Sequence, residues 1–325
     1  MNNYWKDKNV FVTGATGLVG SWLTKRLVDE KSNVVCLVRD MVPKSILWLS
    51  NYYKKVTIVT GCLEDYNLAA RALNEYEIDT VFHLGAQTIV GTANRSPLTT
   101  FESNIKGTWT LLEAAKNCSL VKRVIVASSD KAYGSHDKLP YKEDTPLRGL
   151  HPYDCSKSCA DLISQMYYNS YHLPVGIARC GNFFGGGDLN FSRIVPGTIR
   201  SVINNERPII RSDGSYTRDY IYVKDAVDAY ILLAQKLDDK RVHGEAFNFS
   251  NENRYTVLEL VNLIIKLMDR TDLKPDIQNT AKSEIIHQSL SAEKAMKVLG
   301  WQSKYSVEAG LKETIAWYKD FFNNV

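Results

Sequence analysis

The stretch "NVFVTGATGLVGSWLTKRL", residues 9–27, decides the fold. Apolar and β-branched residues run to Thr13, glycines follow at Gly14, Gly17 and Gly20, and an amphipathic pattern then begins. The first part reads as a buried strand and the last as a helix. Glycine is needed between them where the backbone turns tightly and must come close to a ligand. The helix N-terminus then offers free N–H groups and the positive end of its dipole to a diphosphate. The spacing is G-x-x-G-x-x-G rather than G-x-G-x-x-G, so its position at the first strand–helix junction is what marks a dinucleotide cradle.

Outward from that junction, buried-strand patterns recur at 33–39, 55–61, 79–85, 121–129 and 174–180. Helical patterns lie between them at 18–30, 66–76, 98–117 and 153–171. This alternation predicts an α/β fold, a doubly wound parallel Rossmann sheet. After Cys180, "GNFFGGGDLNFSRIVPG" (181–197) reads as an irregular, glycine-rich binding loop. Helical patterns return at 193–204, 223–237, 256–268 and 291–298, with a strand at 245–250 that rejoins the sheet. The expected division is a dinucleotide-binding domain over 1–187 with a returning segment about 219–250. Residues 188–218 and 251–325 then form a smaller C-terminal α/β lobe for the substrate.

Bulk properties narrow the function classes. The 325 residues are 44% hydrophobic and 23% charged, ordinary for a globular chain. Forty basic against thirty-six acidic residues, with no dense Lys/Arg run, argue against a nucleic-acid partner. No apolar run approaches membrane-spanning length and no signal-peptide pattern opens the chain. Six scattered cysteines without a C-x-x-C pair suggest neither a zinc site nor a disulfide scaffold, so a reduced, cytoplasmic protein without a metal is expected. Cys155 and Cys159, one helical turn apart, read as packing residues, and His83, at a strand end, as structural.

"HPYDCSKSCADL" (151–162) sets Tyr153 and Lys157 one helical turn apart on a single face. A free phenol, with a pKa of about 10, is a poor base at neutral pH. A neighbouring ammonium and an oxidised nicotinamide would both favour the phenolate. Ser129, 24 residues before Tyr153, adds a hydroxyl. In "VASSDKAYG" (126–134) that serine is followed at once by Asp130 and Lys131, an acid and a base side by side. At the end of the second strand, Asp40 suits the ribose hydroxyls of NAD while Arg39 suits the extra phosphate of NADP, and both readings stay open.

Together these motifs resemble the extended short-chain dehydrogenase/reductase family, the sugar-nucleotide epimerases and dehydratases. The resemblance spans nearly the whole chain through Gly14/Gly17/Gly20, "FHLGAQ" (82–87), "ESNIKGTWTLLEAA" (102–115), Ser129–Tyr153–Lys157 and "RCGNFFGGGD" (179–188). It implies that Tyr153 takes the proton of a sugar hydroxyl while hydride passes to the nicotinamide. Ser129 would bond the same oxygen, and Lys157 would bind the nicotinamide ribose and keep the phenol ionised. Cofactor contacts are implied at Gly14, Thr16, Gly17, Leu18, Val19, Gly20, Arg39, Asp40, Cys62, Leu63, Leu84, Gly85, Ala86, Gln87, Asn104, Tyr153 and Lys157. The cofactor, NAD or through Arg39 NADP, would stay tightly bound and be regenerated each turnover.

Asp130 and Lys131 point to the 4,6-dehydratase branch. Epimerases tend to carry small or apolar residues there, whereas dehydratases need one group for the C5 proton and one for the leaving C6 hydroxyl. "SSDKAYG" looks most like the CDP-glucose enzymes. Asn182, Arg193, Arg211 and Arg218 are the candidates for the nucleotide sugar, Arg218 as a fork on the diphosphate. The chain reads "RDY" at 218–220 where the CDP-glucose enzymes tend to have Trp, which leaves the base open. The expected function is an NDP-hexose 4,6-dehydratase in deoxysugar and polysaccharide biosynthesis, with CDP-glucose as first substrate. The rivals are a 4-epimerase, a dehydratase of a GDP, UDP or TDP sugar, and a non-catalytic dinucleotide sensor. The resemblance also implies a homodimer, joined through the helices after Asn104 and around Tyr153.

Overall fold

The computed structural model describes residues 4–280 and 285–324. The ends of the expected domain segments, 1–3 and 325, and the stretch 281–284 lie outside the described residues. Strands β1 (Asn9–Thr13), β2 (Asn33–Val38), β3 (Thr57–Thr60), β4 (Thr80–His83), β5 (Arg123–Ala127) and β6 (Val175–Cys180) form in order. Then come β7 (Asn182–Phe184), β8 (Ile209–Ile210), β9 (Thr217–Tyr222) and β10 (Ala246–Phe249). The central sheet runs β10-β6-β5-β4-β1-β2-β3, and every pair in it is parallel. The direction of strand order reverses between β1 and β4, which opens the ligand crevice of a doubly wound sheet beside the glycine turn.

The strand patterns follow from burial on both faces. Val10 and Val12 pack with Leu23, Leu27, Val34 and Cys36, while Phe11 between them packs with Val35, Leu37, Leu73 and Leu111 on the opposite side. Neighbouring residues of a strand point to opposite faces, so an unbroken apolar run means that both are covered. Helices α1 (Leu18–Asp29), α2 (Ile46–Leu49), α3 (Tyr66–Glu75), α4 (Val90–Arg95), α5 (Pro97–Phe101), α6 (Gly107–Lys116) and α7 (Pro152–Tyr171) follow the alternation. Next come α8 (Ile194–Ile203), α9 (Val223–Lys236), α10 (Val257–Leu267) and α11 (Val307–Asn324). α1 and α9 contribute to the first core; α3, α6 and α7 contribute to the second. β10 returns to the sheet beside β6, as the 245–250 pattern predicts.

Three elements differ from the sequence expectation. The helix expected over 98–117 is broken by a π-turn at Glu102–Lys106, whose wider coil buries Ser103 and Asn104. The stretch read as an irregular loop contains β7, paired in parallel with β9. The α11 helix carries Gly310 in its interior, ordinarily a helix-weakening residue. A Cβ at Gly310 would lie within 2.9 Å of Tyr222 and Phe184 side-chain carbons, so glycine there allows the helix to press onto those rings.

One close approach sets the α1–β1 geometry. A Cβ on Gly20 would fall 2.0 Å from the carbonyl oxygen of Gly14. Gly20→Val should therefore lower unfolding stability by about 2 kcal/mol or more, read from urea denaturation of the chain without added dinucleotide.

Candidate active site

The cradle is built around Gly14, which sits at φ +73°, and a Cβ there would come within 2.9 Å of Leu84 and Gly85 backbone atoms. Gly17 is the N-cap of α1 and is exposed. The first intrahelical bond, Ser21 N–H to Gly17 O at 3.0 Å, leaves the Leu18, Val19 and Gly20 amides ahead of it without helical acceptors. That end, with Thr16 partly exposed beside it, fits a diphosphate. Leu63 packs against Gly85 and Gly107, while Cys62 before it is exposed. Arg39 and Asp40 bond each other at 2.6 Å on the surface at the end of β2.

A hydrogen-bond chain fixes the loop after β4. Gly85 N–H donates to Thr13 Oγ1 at 2.9 Å, and Thr108 Oγ1 donates to Asn104 O at 2.6 Å. His83 lies between the two hydroxyls at 3.0 Å from each, so its Nε2–H must donate to Thr108 while Nδ1 accepts from Thr13. Burial, with Lys157 nearby, pushes His83 down to about 3, so this imidazole is a neutral structural link, as expected. Asn104 clamps the next turn: Oδ1 accepts from Gln87 N–H at 2.7 Å and Nδ2 donates to Gln87 O at 3.0 Å. The same Nδ2 donates to Ser156 Oγ at 2.9 Å, tying the Leu84–Gly85–Ala86–Gln87 loop to α7.

β5 and α7 bring the reactive residues together. Ser129 is the N-cap of a one-turn 3₁₀ helix (Asp130–Tyr133), and its Oγ accepts from Lys131 N–H at 3.2 Å. Asp130 and Lys131 therefore face inward, with side chains 3% and 19% exposed and their charged atoms 3.8 Å apart. A solvated strand-end pair would be far more open. Ser129 Oγ lies 3.0 Å from Asp130 Oδ1, and Oδ2 is buried without a partner. Lys131 Nζ donates to Gln288 Oε1 at 3.2 Å and to Asn182 Oδ1 at 3.5 Å.

Tyr153 is buried, which pushes its phenol up to about 12, with a Ser129 hydrogen bond and the Arg193 charge acting in the opposite sense. Lys157 Nζ donates to Ala127 O at 2.7 Å, and burial pulls its ammonium down to about 8.

Behind this turn lies a buried brace. Arg179 makes two bonds of 2.8 Å to Asp161, whose Oδ2 also accepts from Ser128 Oγ at 2.6 Å. Toward the C-terminal part, Arg193 bonds Asp188 and Thr88 Oγ1 at 3.0 Å each. Arg211 donates to Ser192 O at 3.1 Å. Arg218 is buried, donates to Thr217 O and Ile286 O, and lies 5.7 Å from the Tyr216 ring. Three residues here were missed in the sequence. Asp154, beside Tyr153, is pushed up to about 6 by burial, and Asp219 to about 7. Gln288 meets Lys131 from 157 positions away in the chain. Asp154 was legible as an acid next to the key tyrosine; Gln288 sits in no motif. Cys155 and Cys159 are partly exposed rather than wholly packed.

Comparison with known proteins shows the family. The family described as GDP-mannose 4,6 dehydratase matches residues 11–314. A CDP-glucose 4,6-dehydratase of Salmonella typhimurium is 32% identical, covering 98% of this chain and 92% of the relative. A dTDP-glucose 4,6-dehydratase of Bacillus anthracis, solved in complex with NAD, superposes with TM-score 0.85 at 26% identity, over 96% of this chain and 97% of that one. A UDP-glucose 4-epimerase of Thermotoga maritima, solved with UDP-glucose, superposes with TM-score 0.89 at 26% identity, over 97% and 99%. With the glycine cradle, the Ser129–Tyr153–Lys157 set and the buried Asp130–Lys131 pair in place, the chain belongs to the GDP-mannose 4,6 dehydratase family, enzymes of the extended short-chain dehydrogenase/reductases.

Proposed function

We propose that the chain dehydrates a nucleoside-diphosphate hexose, CDP-glucose first, to its 4-keto-6-deoxy derivative, with NAD as the resident cofactor. The observation that carries this reading is the Asp130–Lys131 pair, turned inward on the same turn as Ser129 and beside Tyr153. An epimerase has no use for two further buried proton-transfer groups. CDP-glucose is favoured by the 32% identity to the Salmonella typhimurium enzyme, and NAD by its presence in the Bacillus anthracis structure.

The residues divide the work as follows. Tyr153 takes the C4 hydroxyl proton, and Ser129 steadies the oxygen. The Gly14–Gly17–Gly20 cradle would hold the dinucleotide, which would supply the redox chemistry by accepting hydride from C4 and giving it back at C6. With C4 a ketone, the C5 hydrogen becomes acidic, and one member of the Asp130–Lys131 pair removes it. The other protonates the C6 hydroxyl, which leaves as water. Hydride at C6 and a proton back at C5 complete the product, so the net change is the loss of one water. Arg193 and Arg218 would face the diphosphate, with Asn182 and Arg211 beside them. The proposed domains are 1–187 with 219–250 for the dinucleotide, and 188–218 with 251–325 for the sugar nucleotide. Exposed Trp109 on α6 and Leu162 and Met166 on α7 favour a homodimer through those helices. No helix among the described residues is long and apolar enough to cross a membrane; we place the reaction in the cytoplasm.

Mass spectrometry of products from CDP-, TDP-, UDP- and GDP-glucose and GDP-mannose tests the substrate. CDP-glucose should lose one water, whereas an unchanged mass with an inverted C4 centre would establish the epimerase instead. In Asp130→Asn and Lys131→Ala, reduced nicotinamide should accumulate, seen by absorbance, while product formation falls by about 10²-fold or more. Full turnover by both variants would sink the assignment. Because burial holds the Tyr153 phenol near 12, its base form is scarce at neutral pH. C4 oxidation should therefore keep quickening as pH rises from about 6 to about 9, read as nicotinamide absorbance, and a plateau inside that range would show a phenol already ionised. Ser129→Ala, lacking the hydroxyl that favours the phenolate, should oxidise C4 about 10²-fold more slowly.

A further inference from the structure

Lys131 is held from the far end of the chain. The segment 287–290 crosses beside its turn, fixed at three backbone points. Gln288 N–H donates to Thr217 O at 3.1 Å, Tyr141 N–H to Ser289 O at 2.8 Å, and Leu290 N–H to Asp219 Oδ2 at 2.5 Å. From this strap the Gln288 side chain, 1% exposed, brings Oε1 to 3.2 Å from Lys131 Nζ. Asn182 Oδ1 at 3.5 Å and Asp130 Oδ1 at 3.8 Å stand around the same nitrogen. Two amide oxygens within hydrogen-bond reach and one carboxylate oxygen farther off thus surround this nitrogen.

The other end of the amide adds a second observation. Gln288 Nε2 is buried with no partner. A buried amide with half its bonds unmade is costly, and an apolar side chain would fill the site more cheaply. Flipping the amide would set its N–H donors against those of Lys131, so the contact with Lys131 alone fixes which way it points. Packing does not account for a glutamine here; the lysine does.

We propose that Gln288 is a positioning residue that holds Lys131 at the proton-transfer site. The proposal builds on the assignment of Lys131 to proton transfer given above, and adds that the C-terminal segment completes the acid–base pair. Its sense is physical: a long, flexible lysine stem needs an external acceptor to aim its nitrogen, and Asp130 on the same short turn is too distant to do so alone. The charged groups facing Lys131 include Asp130 from its own turn and Asp154 from α7.

Trace acetylation by acetic anhydride at fixed pH 8 tests this on the full chain without substrate, with the Lys131 peptide quantified by mass spectrometry. Only the unprotonated amine reacts, and the Lys131 side chain is 19% exposed and open to the reagent. Gln288→Leu should raise Lys131 labelling roughly three-fold by removing an acceptor. Gln288→Glu should lower it roughly ten-fold by placing a carboxylate there. Gln288→Asn, which keeps the amide but withdraws it, should label like Gln288→Leu and serves if that variant folds poorly. General loosening of the strap would raise labelling in every variant, so opposite signs for leucine and glutamate distinguish the two causes. Equal labelling, or a rise in both, overturns the proposal. Full turnover of CDP-glucose by Lys131→Met would instead overturn the proton-transfer assignment, and the labelling result would still decide the contact.

Discussion

Everything at this site depends on how closely α1 and the β4 loop can approach the turn at Gly14. The Gly20 Cα lies against the Gly14 carbonyl, and Gly14 lies against Leu84 and Gly85, with no room for a side chain at either contact. These two approaches bring the N-terminus of α1 to the point where the sheet changes strand order. Three amides ahead of the first helical bond then face a single spot, which is what a diphosphate requires. The Thr13–His83–Thr108–Asn104 chain extends the same rigidity across the β4 loop to α7. The cofactor cradle and the helix that carries Tyr153 are therefore parts of one hydrogen-bonded unit.

Burial gives the reactive groups their character. A phenol near 12, an ammonium near 8 and carboxyls near 6 and 7 all lie within one desolvated region. Each is displaced toward its neutral form, the usual effect of removing water from around an ionisable group. Such groups exchange protons with a bound ligand more readily than solvated ones do, and the clustering itself marks a functional site. The Arg179–Asp161–Ser128 brace keeps the turn rigid behind them, using a charged pair that is itself almost wholly buried and fully bonded.

The fold does not separate dehydratases from epimerases. The Thermotoga maritima epimerase and the Bacillus anthracis dehydratase superpose on this chain nearly equally well, at TM-scores of 0.89 and 0.85. On the function proposed above, the separation lies in two side chains after Ser129 and in whatever holds them. The 3₁₀ turn that begins at Ser129 points both of them inward, and Gln288 and Asn182 meet the lysine there.

Local pattern determined much of this protein. Unbroken apolar runs named the six leading strands and β10, because a strand covered on both faces admits few polar residues. Gly14, Gly17 and Gly20, Ser129 with its acid–base neighbours, and the Tyr153–Lys157 spacing were likewise legible, since each depends on residues close in sequence. Tertiary packing alone decided the rest. The π-turn that buries Asn104 breaks the 3.6-residue period on which helix reading relies, and α11 hides behind a glycine that only Tyr222 and Phe184 explain. Lys157 shares a helical face with Tyr153, but only the fold brings its Nζ to the Ala127 carbonyl, 2.7 Å away and 30 positions earlier in the chain. Gln288 reaches Lys131 only because the strap over 287–290 is pinned to Thr217, Asp219 and Tyr141. No spacing along the chain could announce a contact that exists only once the far end folds back.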